Sequence, residues 1–290
     1  MEYHSDRFED YSLLIFKRDL LIAILPANRK GDTLYSHQGL SYGGFVFSKK
    51  IKFNDALFIF KETLAFLHAE GITKFQLKAL PKIYHKLPSD EIDYLLFITQ
   101  AKLVRTDVSS TIDLRFTPKI QPNRMEGVKK AEKNGLTMEE GYNFKDFWNT
   151  ILMPNLKEKH NIKPVHTLEE IESLGAKFPK HIIQFNVLNG KSIVAGATLF
   201  ESENVAHVQY ISADTDKQQL GSLDFLFHEL IMNRFSHKKY FDFGISNINE
   251  GTNINEGLLY WKESFAARTT VQQFFEINTS KHSKLDKVFI

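Results

Sequence analysis

The chain of 290 residues contains no cysteine. That absence removes disulfides, thiolate metal sites and a cysteine nucleophile, and it fits a reducing compartment. No long apolar run is present: the longest strictly aliphatic stretch is Leu20–Leu25, far short of the ~20 residues a membrane span needs. The start, Met1–Asp10, is polar and acidic, without the apolar core of a signal peptide. A cytoplasmic protein with no membrane span is expected. Excess charge of one sign is also missing, since 37 Lys and Arg face 35 Asp and Glu, a net +2 that demands no nucleic-acid partner. Walker A, dinucleotide G-x-G-x-x-G, G-x-S-x-G and H-E-x-x-H patterns are all absent. His228-Glu229 begins the last of these but lacks the second histidine. His160 and His166 straddle Pro164 without a carboxylate as third ligand, so no metal is expected.

What is present is an ordinary globular balance, 42% hydrophobic and 25% charged. Phenylalanine is over-used, 25 residues against 2 Trp and 10 Tyr, which points to large aromatic cores. The length suits two domains or one large one.

Local patterns give an element order. In the first half, Ser12–Phe16 and Leu20–Leu25 read as strands before the Gly-rich loop Gly39–Gly44. A helix fits Asn54–Glu70, with Asn54 as N-cap and Gly71 past the end. Lys74–Leu80, Ser89–Lys102 and Thr111–Phe116 follow as strand, helix and strand, then a helix over Arg124–Asn134 stopped by Gly135. The second half opens with a capping box, Thr167 and Glu170, ahead of a short helix. Asn189-Gly190 joins two β-rich runs, Ile182–Leu188 and Ser192–Phe200, as a hairpin. Val205–Ser212 is the next strand, Ser222–Phe235 an amphipathic helix, and Tyr240–Ile245 a strand. The polar stretch Asn247–Gly257 reads as a loop, followed by a helix around Leu258–Phe265 and a strand around Thr270–Ile277. Helix, strand, helix and strand recur at an offset of roughly 160–168 residues, too long for a solenoid repeat. Two copies of one mixed α/β unit are expected, hinged near Gly135–Tyr142.

Three places could carry chemistry. The polar turn Asp214–Ser222 enters a helix, whose N–H groups suit a phosphate, although Ser222 could simply be an N-cap. His207 and Gln209 alternate to one face of their strand, with Val208 and Tyr210 on the other; His207 is either a base or a satisfied strand histidine. Asp242–Ser246 ends a strand before a long polar loop, a common position for a ligand site, and Lys262 follows as either a functional or a surface lysine. The basic cluster Lys129, Lys130 and Lys133, with Arg124 nearby, reads first as a solvated helix face.

Residues Tyr240–Arg268 resemble the terminal motif of FemAB-like proteins in the GNAT superfamily. Tyr42-Gly43-Gly44 resembles the family's first-domain YGG, and Arg124 with Lys129–Lys133 and Gly135 its domain-ending basic helix. Gly196–Leu199 with His207–Tyr210 resembles its central hairpin. The resemblance implies an α/β (α+β) architecture of two tandem GNAT-like domains, 1–138 and 139–290. Each would be a mostly antiparallel mixed sheet flanked by helices, and the second would carry the cleft.

It also implies acyl or aminoacyl transfer to an amine without a covalent enzyme intermediate. The donor implied first is acyl-CoA, as co-substrate and with no metal, its pantetheine arm lying between two splayed strands. Gln218–Leu223 matches the first glycine of the superfamily's [Q/R]-x-x-G-x-[G/A] loop but has Leu223 at the last position. Ser264 and Ala266 stand where the family carries glycine. The residues implied for catalysis are His207, Tyr210 and Lys262, with backbone N–H groups of Val208–Ile211 as oxyanion donors. Ile211, Gln219, Gly221 and Ser222 would hold the donor, and Gln209, Asp242, Ser246, Asn253, His166 and Tyr42 the substrate. The implied acceptor is a small-molecule, sugar or bacterial cell-envelope precursor amine. Aminoacyl-tRNA is the alternative donor, tRNA being possible but less favoured, and a non-catalytic ligand-binding protein on a degenerate GNAT fold the alternative class. The oligomeric state stays open.

Overall fold

The computed structural model describes residues 5–160 and 164–290. Met1–His4 of the polar start, and the His160 side chain considered and set aside as a metal ligand, fall outside the described residues. The chain divides into two compact units. One comprises Met1–Asp107, Asn249–Gly251 and Val271–Ile290, the other Val108–Ile248 and Thr252–Thr270. Residues 108–138, grouped by sequence with the first domain, therefore cluster with the second unit, and the last twenty residues cluster with the first.

The first unit holds β1 (Glu9–Asp10), β2 (Leu13–Lys17), β3 (Leu20–Leu25), β4 (Asn28–Lys30), β5 (Thr33–Tyr35) and β6 (Val46–Phe47). After them come α1 (Phe53–Ala69), β7 (Lys74–Lys78) and α2 (Glu91–Ile98), with β8 (Lys102–Asp113) carrying the chain on. Its sheet runs β1-β4-β5-β7 and is completed by β16 (Arg268–Asn278), while β2-β3-β6 form a separate three-stranded sheet. β5 and β7 are parallel and α1 connects them. Leu25, Leu34, Phe60, Leu64, Phe75 and Ile277 fill the core of this unit. Asn54 lies inside the first turn of α1 rather than capping it, since Lys52 has the extended backbone of the N-cap. The second expected helix stops at Ile98, because Thr99 turns its hydroxyl back onto Leu95 O and Gln100 takes φ 52°. The following strand therefore begins at Lys102, nine residues before Thr111.

The second unit contains α3 (Pro122–Lys133), β9 (Thr137–Gly141), α4 (Phe144–Phe147), α5 (Met153–His160) and α6 (Leu168–Lys177). A π-helical turn, Trp148–Leu152, joins α4 to α5. Then follow β10 (Ile182–Asn189), β11 (Ser192–Glu201), β12 (Val205–Ala213), α7 (Lys217–Leu220), α8 (Ser222–Glu229), β13 (Tyr240–Ile245), the short pair β14 (Asn247–Ile248) and β15 (Asn253–Ile254), and α9 (Glu256–Glu263). Its strands lie in the order β8-β13-β12-β11-β10-β9. All neighbours are antiparallel except β12 and β13, which α8 connects. Each unit is thus a mostly antiparallel mixed sheet with one parallel pair bridged by a helix. That shared β-α-β step is the physical content of the repeat seen in the sequence.

The capping box at Thr167 forms with both of its bonds. In the β10–β11 hairpin Asn189 pairs with Ser192, so Gly190 (φ 60°) and Lys191 make the turn and Asn189 closes the strand. Gly135–Tyr142, expected as a hinge, instead holds edge strand β9 against β10. The polar loop after β13 is more ordered than its composition suggests. β14 and β15 pair around Asn249, Glu250 and Gly251, which all take positive φ (50°, 53° and 91°). Part of the phenylalanine excess lies in an aromatic cluster in which Phe227 meets Phe241, Phe243, Trp261 and Phe265 with ring centroids 5.1–6.1 Å apart.

Candidate active site

β12 and β13 begin side by side and then separate. They pair only over Val205–His207 with Tyr240–Asp242. Past Asp242 the chain turns at Gly244 (φ 73°) and β13 resumes contact with β8 at Ile245–Ser109. β12 stays with β11, but with a bulge: Thr198 opposes Tyr210 and Leu199 opposes Val208, so Gln209 is an extra residue. A bulge kinks a strand and re-aims its groups. Beyond His207, among the described residues, no strand pairs with the β13-facing edge of β12.

The last paired position carries a polar cluster around the buried Asp242. His207 Nδ1 lies 2.8 Å from Asp242 Oδ2. Asp242 Oδ1 accepts from Ser109 Oγ (2.8 Å), Thr111 Oγ1 (3.0 Å) and Gly244 N–H (3.1 Å). Burial pushes the Asp242 carboxyl up, but the hydrogen bond and charge of His207, with the Ser109 hydroxyl and Gly244 N–H, hold it below its ordinary value. A carboxylate so held orients the imidazole and stabilises its cation. Glycine suits position 244 for its left-handed backbone (φ 73°), and a Cβ there would press on His207 Cε1 at 3.3 Å.

Lys262 on α9 is buried, and its Nζ donates to Gly244 O (2.9 Å) and Ile245 O (2.7 Å) at the turn where β13 departs. Burial pushes its ammonium down to about 8, against the opposing pull of Asp242. Ser264 and Ala266, where the resemblance would place glycine, follow it in the chain. Ser264 Oγ donates to Trp261 O (2.6 Å), and Ala266 adopts φ 70°, the conformation glycine takes without strain.

A cleft of about 470 Å³ opens along the far part of β12, lined by Ile211, Ser212 and Ala213 on one side and by Gly257, Leu258 and Trp261 of α9 on another. Leu152, Asn155 and Leu156 form a wall, with Asn155 Nδ2 donating to Ser212 Oγ and Ala213 O. At the start of α8 the lining residues are Lys217, Gln218, Leu223 and Asp224, with Arg124 of α3 beside them. Arg124 Nη1 donates to Asp224 Oδ1 at 2.8 Å. Burial pushes the Asp224 carboxyl up and Arg124 opposes that rise.

The residues singled out by sequence distribute as follows. His207 and Asp242 meet, and Lys262 closes the same turn. Tyr210 and His166 meet as well, with the Tyr210 hydroxyl 2.7 Å from His166 Nδ1 and accepting from His166 N–H. Ile211 lines the cleft, as does Gln218, whereas its neighbour Gln219 is exposed. Gly221 (φ 72°) faces α3: a Cβ there would lie 2.0 Å from Gly127 O, so the glycine permits close helix packing. Ser222 is fully buried at that contact. Ser246 is buried at the end of β13, and its N–H donates to Val108 O. Asn253 sits exposed on β15. Tyr42 belongs to the first unit, its ring 4.2 Å from that of Tyr84. Arg124, Asn155, Asp224 and Trp261 were not picked out as site residues. They reach one cleft from helices more than thirty residues apart, and no spacing in the sequence signals that. Among the described residues no three His, Asp or Glu side chains converge as a metal-ligand group, and no helix is long and apolar enough to cross a membrane.

No family model matches the sequence, and no curated protein matches it either. Solved structures with the same fold are found. The chain superposes on FemX with a TM-score of 0.66 at 11% identity, covering 96% of this chain and 90% of that one. The C-terminal DUF2156 domain of a candidate lysylphosphatidylglycerol synthetase from Agrobacterium fabrum gives 0.62 at 13% identity, over 95% and 87% of the two chains. L-PGS from Bacillus licheniformis gives 0.60 at 14%, over 89% and 81%. At such identities the likeness shows the fold alone. The chain shares the fold of FemX and of the other two structures, and its splayed strands, His207–Asp242 pair and cleft belong to its second unit.

Proposed function

We propose that the protein is an acyltransferase that moves an acyl group from a carrier-linked donor, acyl-CoA, to an amine of a small-molecule, sugar or cell-envelope precursor. The observation that carries this reading is the parting of β12 from β13 immediately after the His207–Asp242 pair, next to an open cleft. An extended thioester arm would lie along Ile211–Ala213, with its carbonyl near the bulge at Gln209. Arg124 and Lys217 are the cations lining the cleft and would meet the phosphates of the carrier. His207, held by Asp242, takes the proton of the attacking ammonium, directly or through water. As the C–N bond forms and the C–S bond breaks, N–H groups of Val208–Ile211 and the Lys262 ammonium stabilise the oxyanion. Tyr210, backed by His166, returns a proton to the departing thiolate.

A second reading keeps the site and changes the donor to aminoacyl-tRNA. It is favoured by α3, which exposes Lys129, Lys130 and Lys133 while directing Arg124 into the cleft. Thermal denaturation against a panel of acyl-CoAs tests the first reading: a true donor near 100 times its Kd adds about 2.7 kcal/mol to stability. Absence of stabilisation by every acyl-CoA, with salt-sensitive binding of charged tRNA, would replace it with the second. Full turnover in a His207→Ala/Lys262→Ala double variant would remove the roles given to both residues.

A further inference from the structure

The three-stranded sheet of the first unit has one face on the core and the other exposed among the described residues. Leu13, Ile15, Ala23 and Phe47 point inward onto the core formed around Leu25 and Phe60. The opposite face presents a cross-strand row, Leu14–Ile24–Val46, and next to it the pair Phe16–Leu21. Leu14, Phe16, Leu21 and Val46 are 63%, 53%, 43% and 48% exposed, and Leu20 at the hairpin turn is 62% exposed. Single exposed apolar residues are normal, but neighbours on one face of a sheet form a patch that marks an interaction surface.

The charges around the patch indicate its partner. Lys17 and Arg18 stand at the hairpin turn, and Lys49, Lys50 and Lys52 follow directly on β6. Only Asp19 and Asp55 oppose these five cations in the same two segments, and Asp55 is taken by Lys17 at 2.8 Å. Lysine is depleted from protein–protein interfaces. An apolar face of leucine and phenylalanine rimmed with lysine suits an anionic bilayer, where the apolar groups enter the headgroup boundary and the cations stay at the phosphates.

We propose that the outward face of β2-β3-β6 docks the protein on an anionic lipid surface. Binding needs both parts, since the lysines attract the chain to the charged leaflet and Leu14, Phe16 and Leu21 hold it there.

The test is flotation of the full-length chain with vesicles of phosphatidylglycerol and phosphatidylcholine, against vesicles of phosphatidylcholine alone. The expected result is binding to the anionic vesicles that weakens as salt rises. A Phe16→Glu/Leu21→Glu variant loses at least about tenfold in partitioning, and a Lys49→Gln/Lys50→Gln variant about fivefold per lysine removed. Both variants change exposed side chains, so an unaltered melting temperature shows that loss of binding is not loss of fold. Failure to bind anionic vesicles at low salt overturns the proposal, as does undiminished binding by Phe16→Glu/Leu21→Glu. A dimer in light scattering that the same variant splits, without vesicle binding, would assign the face to a second copy of the chain instead.

Discussion

At the scale of single residues the site is organised by Asp242. Four donors converge on one buried carboxylate, and one of them, His207, is an imidazole. Replacing Asp242 by Asn keeps the shape but sets an amide against donors. Denaturant titration should show a loss of about 2–3 kcal/mol, the size of a charged hydrogen bond in a buried setting. Because the folded Asp242 is held below the ordinary carboxylate value, its stabilisation is present above that value and fades as pH falls through the folded one. The gap between wild type and Asp242→Asn should therefore be constant near neutrality and narrow only below about pH 4. Lys262 has a dependence of the same sign in a more alkaline window. Its folded pKa of about 8 lies below the ordinary 10.5, so between these values the unfolded chain holds the proton more tightly and stability rises with pH. Relative to Lys262→Met, the wild type should gain about 1.4 kcal/mol per pH unit across that window and nothing below it. Denaturation at pH 7, 8.5 and 9.5 measures this directly.

At the scale of elements, left-handed turns next to helices differ in what surrounds them. Where α8 begins, Gly221 combines a left-handed backbone with a contact that leaves no room for Cβ. Gly71 after α1 has a similar backbone (φ 74°) but open space around it. Gly71→Ala should cost about 1 kcal/mol from backbone strain alone, whereas Gly221→Ala should cost clearly more, because α3 must move away from α8. After α9 the situation reverses. Ala266 pays about 1–2 kcal/mol for φ 70°, while glycine would cost only about 0.4–1 kcal/mol in unfolded-state entropy. Ala266→Gly should accordingly raise the melting temperature slightly. A fall would mean that the Ala266 methyl makes contacts worth more than its strain.

At the scale of the whole molecule, the units are not consecutive pieces of chain. Residues 271–290 return to the first unit, where β16 pairs with β7 and Ile277 and Leu285 are buried in the core. Ending the chain at Thr270 should therefore unfold the first unit, although the cut lies more than 160 residues from the unit's main segment. Far-UV circular dichroism and proteolysis of the truncated protein check this, and a truncated chain with both units protected would show that β16 is dispensable. A fragment of residues 1–138 should fail in the same way, since it lacks β16 and carries α3 without α7 and α8 to pack against.

Much of the local architecture was legible from residues alone. The Thr167 capping box, the β10–β11 hairpin and the apolar stripe of α8 follow from nearest-neighbour stereochemistry, which sequence displays directly. The pattern Tyr240–Arg268 likewise pointed to the fold shared with FemX and nominated Asp242 and Lys262. Boundaries that depend on a single backbone torsion were less visible, as at Gln100, whose left-handed φ ends a helix that composition would extend. What periodicity could not display is long-range pairing: that β12 leaves β13 after three residues, that Asp242 lies against His207 with Ser109 and Thr111 behind it, and that Arg124 and Asp224 close one end of the cleft. Those facts arise from sheet order and helix packing, which bring together side chains 35 to 133 positions apart. Alternation and motif could nominate His207, Asp242 and Lys262, but only the folded sheet sets two of them in contact and buries the third at the turn beside them.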